Sequence, residues 1–279
     1  MPVMNRRSLV RALGAVALTG LTPLRALAQT LPPDLAALSA RGKLVVGMTE
    51  ADTPPFFSGP GEPHGIDVDI AHAIGAALEL PVEFNRGFKT FNDVVNGIAL
   101  GTVDLATSKI SRTFKRSRLV SFSKPYVQLR HALMFNRLRL AQAARGRDVA
   151  DVTRTFEGSI GVVTGSAWVT FAHEHFPHAK VVEFETWPEV IAAAVSGSVD
   201  AGYRDEFEVR RIAIDQPDSA INLRTVAIAD ARDFISVAVP WTAPQVLAIV
   251  DQVIDALPQP YTADLLIDLY RAQSGAAGH

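Results

Sequence analysis

The chain has 279 residues, 48% of them hydrophobic and 20% charged, with a formal charge of −2 and no cysteine. That is enough for one large or two medium packed domains. It excludes disulfides, cysteine-ligated metals and a cysteine-borne lipid anchor, and a mildly acidic chain lacks the basic surface expected of a nucleic-acid binder.

The N-terminus reads as a targeting segment. Asn5-Arg6-Arg7-Ser8-Leu9-Val10 precedes a modestly apolar run, Ala12–Leu24, and the small-x-small signal Ala26-Leu27-Ala28, which predicts cleavage after Ala28. The run is too short to span a bilayer and holds Gly14, Gly20 and Pro23. The paired arginines and Arg25 favour twin-arginine export over a general secretory signal. Residues 1–28 carry four arginines and no acids, so their removal takes the formal charge from −2 to −6. The expected location is the periplasm.

After a linker with Pro32-Pro33, Lys43–Thr49 (KLVVGMT) predicts a buried strand, and the prolines in Glu50–Ser58 (EADTPPFFS) predict a loop at its end. Ile66, Ile70, Ala73, Ile74, Ala77 and Leu78 mark one face of a helix, followed by a strand at Pro81–Asn85. An internal repeat comes next. Phe91–Asp104 (FNDVVNGIALGTVD) and Trp187–Asp200 (WPEVIAAAVSGSVD) share one template, pairing Phe91 with Trp187, Asp93 with Glu189, Gly101 with Gly197 and Asp104 with Asp200. Each copy predicts a short helix closed by a left-handed glycine, then a strand from the Val-Asp pair.

The first copy runs into a turn rich in hydroxyls and bases (Ser108, Lys109, Ser111, Arg112, Arg116), the second into Arg204-Asp205-Glu206. If both strands are parallel members of α/β sheets, both turns lie where such sheets bind ligands. His131–Asn136 predicts a strand, and Leu138–Glu157 a helix with loops at the start of a new lobe. Ser159–Val163 predicts a strand reaching Thr164-Gly165-Ser166-Ala167, with a helix over Trp168–Phe176, a geometry that aims backbone N–H groups at an anion. Val181–Phe184, Ile221–Ile228 and Phe234–Pro240 predict strands, and two helices close the chain.

These motifs, in order, are GMTEADTPPF, GIDVDIAHAIG, FNDVVNGIALGTVDL, the hydroxyl-to-arginine spacing that ends at Arg116, SFSKPY, IGVVTGSAW and VDAGYRD. Over roughly Lys43–Arg271 the chain resembles the periplasmic solute-binding proteins that deliver polar amino acids to ABC importers. The resemblance implies an α/β, two-lobed periplasmic-binding-protein-like (type II) fold, with two hinge strands joining two doubly wound α/β lobes that close on a small ligand. Lobe 1 would be residues 40–128 plus 234–275 and lobe 2 residues 129–233. It further implies a monomer with an amino-acid ligand, an inner-membrane ABC permease as partner, no cofactor, no metal and no catalysis.

The family's site carries over by position. Arg116 matches the α-carboxylate clamp, and Ser111 its hydroxyl partner. Ser166 and Ala167 match the lobe-2 turn, Asp205 the acid for the α-ammonium, Glu50 the lobe-1 acid, and Phe56 and Phe91 cleft aromatics. Thr53 stands in place of a stacking aromatic, Lys109 replaces a usual Gly or Asn and offers a second cation, and Arg112, Phe114 and Lys115 depart from the customary pattern.

On the residues alone Asp205 is open between ligand contact and helix cap, and Glu50 and Lys109 are open between cleft and solvent. Arg112, Lys115 and Arg118 read as solvated. Phe91 and Trp187 read first as packing for the repeat helices. His173, Glu174, His175 and His178 read as an exposed helix end, because their spacing fits no metal pattern. The rival functions on this scaffold are a cyclohexadienyl dehydratase-like enzyme with Glu50 or Glu206 as general acid, and a ligand sensor docking on a membrane receptor.

Overall fold

The computed structural model describes residues 31–59, 62–258 and 260–276; the targeting segment at 1–28 lies outside them. The elements in order are α1 (Pro33–Arg41), β1 (Leu44–Thr49), α2 (Ile66–Ala77), β2 (Val82–Phe88), α3 (Phe91–Ala99), β3 (Leu105–Ala106), a 3-10 turn (Arg116–Arg118), β4 (Val120–Asn136), α4 (Arg137–Ala144), α5 (Val149–Arg154), β5 (Ser159–Val163), α6 (Ala167–His175), β6 (Lys180–Phe184), α7 (Trp187–Ser196), β7 (Ala201–Asp205), α8 (Glu206–Asp215), α9 (Pro217–Ile221), β8 (Leu223–Pro240), α10 (Pro244–Asp255) and α11 (Ala263–Ala276).

The strand order is β2-β1-β3-β8-β4-β7-β5-β6, which mirrors about its middle. At each end three strands pair in parallel, β1 with β2 and β3, and β5 with β6 and β7. The centre is the antiparallel pair β4 and β8. Two lobes thus share a waist of two strands, 17 and 18 residues long, about 56 and 59 Å at ~3.3 Å per residue. The sequence reading divides both strands: it finds β4 from His131 only and splits β8 at 229–233. The structure carries both through, with register shifts at Phe122/Pro125, Pro125/Val127 and Arg130/Ala132. Lys124, Gln128, Arg130 and Arg232 are exposed along the waist, and Pro125 within β4 reads against a continuous strand. A second correction is α1, read as linker: Pro33 occupies its first turn, where a missing N–H costs nothing, and Gly42 closes it at φ 72°.

The repeat is architectural. Both helices open with a capping box. Thr90 and Asp93 exchange bonds of 2.9 and 3.1 Å, as Thr186 and Glu189 do at 3.1 and 3.4 Å. Gly101 and Gly197 come after them at φ 73° and 77°. The repeat aspartates start their strands alike. Asp104 N donates to Val45 O while its Oδ2 accepts from Val45 N at 2.8 Å, and Asp200 N donates to Ser159 O while its Oδ2 accepts from Ser159 N at 2.7 Å. The apolar cores sit on the two faces of each lobe's sheet, around Ile74 and Ile98 at one end and around Ile160 and Val190 at the other.

Candidate ligand-binding cleft between the lobes

The turns after β1, β3, β5 and β7 leave the carboxyl ends of their strands and meet at the waist, the position at which open α/β sheets bind ligands. Two adjoining spaces lie there. The outer cavity is about 440 Å³, walled by Thr49, Ala51, Asp52, Thr53 and Lys89–Phe91 from one lobe and by Val163, Trp187, Arg204, Glu208 and Arg211 from the other. The inner gap is about 10 Å³, roughly the room for one water. It is bounded by Phe91, Lys109, Ser111, Arg116, Ser166, Ala167, Trp168, Arg204, Asp205 and Asp233. Seven of the nine site residues expected from sequence therefore meet at one point, contributed by both lobes.

The basic turn sorts its own charges. Arg112, Lys115 and Arg118 are exposed, whereas Arg116 is 4% exposed. Its Nη1 donates to Ser111 O at 2.9 Å, and Nε and Nη2 donate to Asn92 Oδ1 at 3.1 and 2.9 Å. Burial lowers its pKa to about 10, with the Asp233 charge acting in the other direction. Ser111 Oγ donates to Asp233 Oδ2 at 2.9 Å, and among the described residues the buried Asp233 Oδ1 has no partner. Burial, then the charge of Asp205, raises the Asp233 carboxyl to about 7.

Lys109 is buried and crosses between the lobes. Its Nζ lies 3.0 Å from Asp205 Oδ2 and 2.8 Å from Glu208 Oε1, over the rings of Phe56 and Phe207 at 5.0 and 5.4 Å. Its backbone takes φ 49°, held by a bond from its N–H to Asp67 Oδ2 at 2.6 Å. Tyr126 donates to the other oxygen of Asp67, whose carboxyl burial raises to about 7. Glu208 is pushed up by burial but held below the ordinary carboxylate range by Lys109, Arg204 and Arg211.

Asp205 fills both of the positions left open: it faces the gap, and it caps α8 by accepting Glu208 N at 3.0 Å. Ser166 caps α6, accepting Trp168 N at 3.3 Å. The lobes also touch through backbone, since Asn92 N donates to Gly165 O at 3.0 Å. Gly165 sits at φ 65°, where a Cβ would come within 2.6 Å of Thr90.

Two expected site residues are elsewhere. Glu50 is exposed and outside both spaces, because Arg86 grips the carbonyls of Thr49 and Glu50 and the carboxylate of Asp52, fixing the loop with the Glu50 side chain outward. Phe56 is fully buried behind Lys109, packed edge-on against Phe207. Glu206 is tied to Arg130 by bonds to its backbone and guanidinium. Phe91 borders both spaces, Trp187 packs in the core of its lobe, and Thr53 walls the outer cavity. Among the described residues no cluster suited to a metal ion occurs, and no helix is long and apolar enough to cross a membrane.

Arg204, Glu208, Asp233 and Trp168 are the site residues that sequence reasoning missed. Two signals pointed to them: Arg204 stands one place before Asp205 and Glu208 three after it, on the rim of a strand end. Asp233 had none: the resemblance places a crossing strand near Ala231–Ser236, but no local pattern marks an acid on it as facing the cleft.

The sequence pattern of the bacterial extracellular solute-binding proteins, family 3, matches residues 44–270. The ABC transporter glutamine-binding protein GlnH of Bacillus subtilis is 30% identical over 173 residues, which span 60% of this chain and 60% of that protein. The ABC transporter arginine-binding protein 1 of Escherichia coli is 22% identical over 199 residues, 70% of this chain and 76% of that one. The crystal structure of the amino acid ABC transporter substrate-binding protein AbpA from Streptococcus pneumoniae, bound to L-arginine, superposes with a TM-score of 0.66 at 24% identity, covering 87% of this chain and 98% of that one. The chain belongs to the bacterial extracellular solute-binding proteins, family 3.

Proposed function

We propose that the protein captures a polar or charged amino acid between its two lobes and delivers it to an ABC importer. The observation that carries this reading is the meeting of Arg116, Ser111, Ser166, Ala167 and Asp205, from both lobes, around one inner gap. Arg116 would hold the α-carboxylate with a planar fork, helped by the hydroxyls of Ser111 and Ser166 and the N-terminal amides of α6. Asp205 would take the α-ammonium. Relatives named for glutamine and arginine binding support an amino-acid ligand.

A gap of about 10 Å³ admits no amino acid, so the lobes must part for entry. The strands of the waist are the elements that can flex, with lobe 1 as residues 40–128 plus 234–275 and lobe 2 as residues 129–233. A ligand favours closure only as far as it binds the closed arrangement better than the open one. Residues 1–28 would direct export to the periplasm, where the protein acts as a monomer beside an inner-membrane permease. The enzyme reading loses its proposed acids, since Glu50 faces solvent and Glu206 is neutralised by Arg130.

The test is a thermal-unfolding screen of the protein against the L-amino acids and prephenate. An amino acid at a hundredfold excess over its Kd stabilises the fold by about 2.7 kcal/mol and raises Tm. If no amino acid shifts Tm while prephenate is consumed, the transport reading is wrong.

A further inference from the structure

Arg204 is the cleft residue whose partners are least accounted for. It is 8% exposed and lines both the inner gap and the outer cavity, so it stands where the two meet. Its guanidinium stacks 5.2 Å above the Trp187 ring, and the carboxylate beside it, Glu208 Oε1, stays at 3.7 Å, beyond hydrogen-bond distance. Among the described residues its buried Nε finds no acceptor. A buried guanidinium N–H left without an acceptor is costly unless something else supplies one. Arg116 differs: its Nε, Nη1 and Nη2 all donate to protein oxygens.

Most acids of the cleft are meanwhile occupied, the exposed Glu185 at the outer cavity and Asp233 at the inner gap apart. Lys109 reaches across to Asp205 and Glu208, Arg86 pairs with Asp52, and Arg211 and Tyr270 share Asp215. Apart from the exposed Glu185, a cationic tail entering the outer cavity meets carboxylates already paired within the chain. An anionic tail meets Arg204. Asp205 can still serve a ligand's ammonium, because Lys109 and the α8 cap use one site on each of its oxygens and a carboxylate offers about four.

We propose that the ligand is an acidic amino acid, with its α-carboxylate at Arg116 and its side-chain carboxylate at Arg204. This rests on the amino-acid reading above and names the class within it. The stack on Trp187 fixes the fork at the junction of the two spaces, which converts a charge into a geometric selector. A site built to donate to a carboxylate rejects the uncharged isostere, because the donors are then left underused.

Isothermal titration of the purified chain with L-glutamate, L-aspartate, L-glutamine, L-asparagine and L-arginine tests it. The expected result is that an acidic amino acid binds at least tenfold tighter than its amide and than L-arginine. The Arg204→Met variant, which keeps a stem on Trp187, is expected to lose that preference while still binding the amide. L-glutamine or L-arginine binding as tightly as L-glutamate overturns the acidic assignment and leaves the amino-acid receptor standing. Binding of none of the five overturns the acidic assignment, and the receptor reading falls only if no L-amino acid in the thermal screen binds. An Arg204→Met protein that keeps a tenfold preference removes Arg204 from the role. The wild-type comparison needs no variant, so a variant that fails to fold leaves the test intact.

Discussion

The two copies of the repeat share a scaffold and differ in the turn beyond it. In both, a capping box starts the helix, a left-handed glycine ends it, and an aspartate locks the next strand to its neighbour. At the strand's end the first copy turns into Lys109, Ser111 and Arg116, the second presents Arg204, Asp205 and Glu208, and the two ends meet face to face. Backbone geometry was duplicated because any parallel strand must be started and its helix capped in the same way. The charges were free to diverge because they lie past the strand ends, where no packing constraint acts until the lobes meet. Function here is the complementarity of two dissimilar ends on two similar frames.

The strongest way to break that pairing is Lys109→Met. It strands two buried carboxylates, Asp205 and Glu208, and is expected to cost about 3–5 kcal/mol in denaturant unfolding. Adding Asp205→Asn and Glu208→Gln should recover most of the loss. A cost below about 1 kcal/mol, the range of a surface pair, would show that the bridge contributes no more than an exposed one.

A smaller effect separates the lobe ends by pH. Burial raises the carboxyls of Asp67 and Asp233 to about 7. Between the ordinary value near 4 and about 7 the folded protein holds more protons than the unfolded chain, so this contribution is full below about pH 4 and is lost as pH rises through 7. His131, lowered to about 3 by burial and then by His175, works the opposite way from about 6.5 downward. The difference between wild type and Asp233→Asn isolates the carboxyl. The variant's relative stability should climb by on the order of 1–3 kcal/mol from pH 4.5 to 7.5. A flat difference would mean that Asp233 titrates near 4 and is not the desolvated group at the gap.

The mildest change sharpens the likeness of the frames. Thr90→Ala and Thr186→Ala each remove one member of a capping box and should cost about 1 kcal/mol in the same unfolding assay. Both threonines border the outer cavity, but Thr90 also faces Gly165 across the lobes, so Thr90→Ala should change ligand affinity more than Thr186→Ala. Equal affinities would show that the contact carries no closure energy.

Most of the frame was legible. The helices from Ile66 and Phe91, the strands at Leu44 and Ser159, and the repeat all come from periodicity and caps, which are local properties. The waist was only half legible, because Lys124, Gln128, Arg130 and Arg232 face water between the cores and Pro125 interrupts the strand pattern. At the site, Arg116 was separable from Arg112, Lys115 and Arg118 by spacing. Glu50 was not separable from solvent, because Arg86 decides where its loop points.

What the sequence by itself determined is the kind of molecule: two related α/β halves, a basic turn after one and an acidic turn after the other, and an arginine at the clamp position. Tertiary structure alone decided which charges meet. Lys109 and Asp205 are 96 residues apart, and Ser111 and Asp233 are 122 apart. No local pattern encodes such pairs, because the strength of a buried charge's interaction depends on the distance and desolvation that only the closed lobes create.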